Sequence, residues 1–140
     1  MTKMNETLIY QIIYLYKNFL VYVNKELKDY QISMGQLPFL LYIGKYKTCT
    51  PASLTKDLKM DWGHSQRSIT KLVDQGLVIK TYDSVQKRQA HLALSEKGQD
   101  IFEFCHKLFQ KWDHDNLSFL GEPEKQMAID VLQQVVKNLG

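Results

Sequence analysis

The sequence predicts a mainly α-helical fold with one small β-hairpin. Three observations carry that expectation. Apolar residues recur at helical spacing through most of the 140 residues; Gly (7) and Pro (3) are scarce; and the helical period gives way to alternation only between Leu77 and Leu94. Apolar residues make up 44% of the chain and charged residues 24%, enough for a core and too apolar for a disordered chain. At this length one domain covering 1–140 is expected.

Leu8 to Leu27 reads as the first helix, with Leu8, Ile12, Leu15, Tyr16, Phe19, Val23 and Leu27 in one stripe. Ile9, Ile13, Leu20 and Val21 widen the stripe past one face. A helix apolar nearly all round needs cover on several sides, and in so small a chain the expected cover is a second copy. The stretch is short of the ~20 apolar residues that cross a bilayer, and Gln11, Lys17 and Asn18 interrupt it, so no membrane partner is expected. Asn5 and Glu6 ahead of it do not resemble a secretory leader. With two cysteines and no CxxC, a reduced, cytoplasmic protein is expected.

A second helix follows Ser33 and carries Phe39, Leu40 and Ile43; Pro38 implies either a start at Pro38 or a distorted first turn. Thr50-Pro51 is a helix start, with Thr as N-cap and Pro at the first helical position. That short helix holds Leu54 and Leu58, and Lys59-Met60 turns the chain. Asp61 then caps a helix running to about Gln75, which Gly76 closes as a left-handed cap. Ile69, Leu72 and Val73 face inward on it. Leu77 to Tyr82 and Ala90 to Leu94 read as strands joined by the polar turn Asp83 to Lys87. Ser95 caps a further long helix with Ile101, Cys105, Leu108 and Trp112 on one stripe. After a break at Leu120-Gly121, the last helix starts at Pro123 and aligns Ala128, Val131, Leu132, Val135 and Leu139.

Helix, short capped helix, turn, second helix and hairpin in that order make a winged helix-turn-helix. The lobe spans about 33–98, with 1–30 and 99–140 as dimerisation helices. Charge follows the same division. From Gly44 to Gly98 there are 8 Lys and 2 Arg against 5 acidic residues, a net of +5, while the remainder carries 8 basic and 10 acidic residues, a net of −2. A basic centre suits nucleic acid. The second helix of such a unit enters the major groove and presents its N-terminal side chains to base edges. Gly63, His64, Gln66, Arg67, Thr70 and Lys71 occupy those places, and Lys87 and Arg88 stand at the wing tip, suited to the minor groove. Arg67 and Arg88 are the chain's two arginines against 16 lysines, so the planar guanidinium fork falls on both proposed reading elements.

These residues resemble the MarR family of bacterial transcriptional regulators. Leu58, Asp61, Gln66-Arg67, Leu72 and Gly76-Leu77-Val78 match the family's recognition helix and its exit. Lys80, Asp83, Arg88 and Leu94-Ser95-Glu96-Lys97-Gly98 match its wing and next helix, and Gln36, Leu40 and Ile43 the preceding helix. The sequence departs at Gln86, where the family commonly has Asp, and at Ser65, where it commonly has an apolar residue. The resemblance implies a homodimer with interlocked terminal helices, a palindromic double-stranded DNA operator and, in many members, a small amphipathic or phenolic effector. A repressor released by such an effector is the expected function. Tyr16, Phe39, Tyr42, Phe109 and Trp112 are the residues available to line an effector pocket, against ordinary core and dimer packing.

Two other readings compete with this one: a winged-helix protein-interaction module without direct DNA binding, and a redox-responsive regulator using Cys49. No GxSxG, phosphate-binding Gly loop, CxxC or HExxH occurs, so no enzyme and no cofactor are expected. His106 and His114 lie about two turns apart on a helix, too far for one metal shell, and no metal is expected.

Overall fold

A computed structural model describes residues 1–85 and 88–139. The chain divides into two compact units, Met1–Phe102 and Glu103–Gly140, with the boundary inside one helix.

The first unit opens with α1 (Leu8–Leu27), which buries Val23 and Leu27 near its end and leaves Leu8, Ile9, Ile13, Leu15 and Val21 more than half exposed. Gln31, at φ 58°, turns the chain back. Helix α2 (Leu37–Tyr46) then starts with Pro38 in its first turn, which resolves the alternatives for Pro38: the proline occupies a position where its missing N–H has no intrahelical partner to lose. Leu37, Phe39, Leu40 and Ile43 of α2 are buried.

Helix α3 (Pro51–Asp57) is capped reciprocally. Ser53 N donates to Thr50 Oγ1 at 3.1 Å, and Thr50 N donates to Ser53 Oγ at 3.3 Å. Lys59, at φ 53°, makes the turn into α4 (Trp62–Asp74). Asp61 caps α4 by accepting from His64 N at 3.0 Å. At the other end Gly76 sits at φ 75°. Gly76 N donates to the Val73 carbonyl at 2.9 Å and Leu77 N to the Leu72 carbonyl at 3.0 Å. This is the double closure of a left-handed cap that glycine adopts without Cβ strain. It takes Leu77 out of the expected strand, and β1 runs Val78–Tyr82.

Strand β2 (Ala90–Leu94) pairs antiparallel with β1, Val78 opposite Leu94 and Tyr82 opposite Ala90. On its other edge Leu92 exchanges two backbone hydrogen bonds with Cys49, at 2.7 and 3.1 Å, so the segment before α3 adds a one-residue third rung. Leu92, wholly buried, belongs with Leu40, Ile43, Leu54, Ile69, Leu72 and Leu77 to the core. Each such side chain contributes roughly 1.5–3 kcal/mol by leaving water.

Helix α5 (Glu96–Leu117) begins on a joint with the exit of α4. Ser95 Oγ donates to the Gly76 carbonyl at 2.6 Å and accepts from Gly98 N at 3.0 Å, while Ser95 N donates to the Leu77 carbonyl at 3.0 Å. A Cβ on Gly98 would collide with the Leu77 carbonyl oxygen. In the second unit, α6 (Glu122–Asn138) starts one residue before Pro123, with Gly121 as N-cap. Lys125 of α6 pairs with Asp113 of α5 at 3.2 Å. No α6 residue is buried, and Met127, Val131, Leu132, Val135 and Val136 stand exposed.

Candidate nucleic-acid interface

Helix α4 is two-faced. Ser65, Ile69 and Leu72 point into the core, while Arg67, Thr70 and Lys71 are exposed on the opposite side and, with Asp74, line one shallow groove. This is the arrangement that presents a row of donors to a base edge. Gly63 is half-buried. A Cβ there would stand 3.3 Å from Arg67 Nη1 and from Asp61 Oδ1, so the glycine leaves room for the guanidinium to lie back over the first turn.

Two residues of the expected reading face are placed differently. The His64 ring is half-buried, 5.9 Å from the Phe39 ring, and so is occupied by packing against α2. Gln66 is also half-buried; its Nε2 is out of solvent and has no hydrogen-bond partner among the described residues. Their burial comes from elements distant in sequence, Phe39 of α2 beside His64 and Lys80 and Tyr82 of β1 beside Gln66.

The hairpin closes through Asp83, whose N–H donates to the Gln89 carbonyl at 2.9 Å and whose Oδ1 accepts from Val85 N at 2.8 Å. Arg88 is exposed beside it; Lys87 and Gln86 lie outside the described residues. Between the hairpin and the start of α4 is a cleft of about 270 Å³, walled by Pro51, Trp62, Gln66, Lys80, Tyr82 and Arg88. Trp62 was not singled out from the sequence. The signal was present: Asp61 as N-cap makes residue 62 the first of α4.

The residues named for an effector pocket fall in both units. Tyr16 is exposed on α1, and Phe39 is buried at 1% exposure. The Tyr42 hydroxyl donates to Asp57 Oδ2 at 2.5 Å, and its ring tilts on Tyr46 at 4.5 Å. Burial, then the Asp57 hydrogen bond, push that hydroxyl up to about 12. Phe109 and Trp112 are half-buried on α5. Cys49, the residue of the redox-responsive alternative, is half-buried because its backbone is taken into the sheet, and burial pushes its thiol up to about 11. At neutral pH it stays protonated, which is the wrong state for a peroxide-reactive thiol. No helix among the described residues is long and apolar enough to cross a membrane.

No family model matches the chain. It is 35% identical over 134 residues to the HTH-type transcriptional regulator BilQ of Clostridium symbiosum, covering 96% of this chain and 93% of that protein. Its fold matches a MarR transcriptional regulator from Methanosarcina mazei with a TM-score of 0.79 and 30% identity, covering 91% of this chain and 92% of that one. The chain belongs to the MarR family. Like its relatives in the MarR family, it is a DNA-binding transcriptional regulator with the winged-helix fold. A putative MarR family regulator from Listeria monocytogenes, solved in complex with a 26mer DNA, matches with a TM-score of 0.83 and 25% identity over 94% of this chain and 88% of that one.

Proposed function

We propose that the protein is a dimeric repressor that binds a palindromic operator through α4 and the hairpin. The observation that carries this reading is the exposed row Arg67, Thr70 and Lys71 on a capped helix, with Arg88 exposed on the adjoining hairpin. A helix so presented fits the major groove, and a basic hairpin beside it fits the neighbouring minor groove. The Listeria relative's complex with a 26mer DNA supports a DNA partner. Dimerisation is supported by the two uncovered apolar helices: α1 leaves Ile9 64% exposed and Val21 68%, and α6 buries none of its 17 residues. Isolated chains that display such surfaces associate. The terminal helices are thus dimerisation elements around a lobe of about 33–98.

In this reading the protein acts in the cytoplasm, beside the chromosome. An effector that releases it must bind the DNA-incompetent dimer more tightly than the competent one. Tyr16 is open to such a ligand, whereas Phe39 and Tyr42 are already engaged in packing. Selection of bound duplexes from a random pool, followed by footprinting and sedimentation, tests the reading. The expected results are an inverted repeat with half-site centres ~10 base pairs or one turn apart, and a dimer at micromolar concentration. A folded monomer, or binding to no duplex at low salt, overturns it; the second result would favour a protein-interaction module.

A further inference from the structure

We infer that Trp62 is a specificity-determining residue that reads a thymine methyl group in each operator half-site; this rests on the DNA-binding reading above and extends it. Trp62 is the first residue of α4, immediately after the Asp61 cap, so it stands at the end of the helix that reaches deepest toward base edges. It is 55% exposed. It is also the one large apolar side chain exposed on α4 among the described residues; the other exposed residues of the helix are Arg67, Thr70, Lys71 and Asp74.

With just over half of its surface in water, the indole has apolar area left to bury when a partner covers it. Trp62 makes no ring contact or hydrogen bond among the described residues. In the major groove the apolar feature of a base edge is the C5 methyl of thymine; the remaining features are hydrogen-bond donors and acceptors. A tryptophan at the tip of a reading helix therefore favours thymine over cytosine at the position it meets.

The surroundings support a base contact made at the side of the groove. Trp62 shares its cleft with Lys80 and Arg88, two cations that hold the sugar-phosphate strand passing between α4 and the hairpin. With the strand held by these two groups, the indole meets the base next to it.

The test uses the full-length protein and the duplex selected from a random pool. Each thymine of the half-site is replaced in turn by deoxyuridine, which removes the methyl and keeps every hydrogen-bonding group. Binding isotherms are compared for the wild type, Trp62→Ala and Trp62→Phe, with thermal melting to establish that the variants fold. One thymine should matter to the wild type by about threefold to fivefold, the effect of one buried methyl. Trp62→Phe should keep part of that discrimination, and Trp62→Ala should lose it while still binding DNA in a salt-dependent way. The inference is overturned if no thymine in the half-site is sensitive to deoxyuridine, or if Trp62→Ala discriminates as the wild type does. An equal loss on thymine and deoxyuridine duplexes also overturns it and makes Trp62 a backbone contact. Failure of the underlying reading looks different: the wild type itself would then select no duplex.

Discussion

The side-chain amide of Gln36 donates to Gln75 Oε1 across 2.6 Å, tying the start of α2 to the end of the recognition helix α4. Gln75 in turn donates to the Gln31 carbonyl at 3.1 Å, and Gln36 Oε1 accepts from Ser33 N at 3.0 Å. Gln36 is only 3% exposed, so water cannot replace these bonds. Gln75→Ala should destabilise the fold by about 1–3 kcal/mol, the cost of a buried amide left unpaired. Gln36→Leu combined with Gln75→Leu should cost less than the sum of the single changes, because both partners then lose their polar demand. Urea unfolding of the four proteins measures this, and strict additivity would show that the two side chains act separately.

Ser65 makes the opposite expectation. Its Oγ is wholly buried and has no hydrogen-bond partner among the described residues. Ser65→Ala removes an unpaired hydroxyl at little change in volume and should stabilise the protein by about 1 kcal/mol. DNA affinity should not change, since residue 65 faces away from Arg67 and Thr70. A loss of stability on thermal melting would mean that the hydroxyl is paired after all.

In the proposed binding mode the two arginines divide the work of binding. Arg67→Ala, on the exposed face of α4, should cost about 1–3 kcal/mol and relax preference at one operator position. Arg88→Ala, on the hairpin, should weaken binding evenly across sequences and lower the salt slope by about one unit. Isotherms on selected and scrambled duplexes at several salt concentrations separate the two. Equal, sequence-independent losses would refute the division.

Cys49 should behave as a structural thiol. Its thiol is raised from 9.0 to about 11 by burial, so the native state holds the proton where the unfolded chain releases it. The associated stability is complete below pH 9 and is lost as pH rises through about 11. Alkylation of the native protein should therefore be slow at pH 8 and accelerate only toward pH 11, with unfolded protein reacting about two units earlier. Fast labelling at pH 7 would restore Cys49 as a redox candidate.

Much of the lobe was legible because its signals are local. Thr50-Pro51, Asp61 and Gly76 each fix a helix end through bonds within three or four residues, and the structure places those ends where the sequence does. The match of Gly76-Leu77 and Ser95 to Gly98 with the family pattern also acquires a physical cause, since these two segments form one joint. The reading face was less legible. Helical period assigns His64 and Gln66 outward, yet their burial depends on Phe39 from α2 and on the cleft wall near β1, which are distant in sequence. Cys49 escaped for the same reason: its partner, Leu92, lies beyond the whole helix-turn-helix.

The joint between Gly76 and Ser95 has a further effect. These residues are 19 apart in sequence and are held by one hydrogen bond of 2.6 Å. The mechanical path from recognition helix to α5 therefore runs straight across and leaves the hairpin as a closed excursion pinned at its base. Closing a longer excursion adds little entropy cost, because that cost grows only with the logarithm of its length. The tip is thus free to lengthen, shorten or change charge over evolutionary time while the angle of α4 stays as it is. In the proposed binding mode, a lineage with this architecture would adjust its reach into the minor groove independently of the letters it reads in the major one.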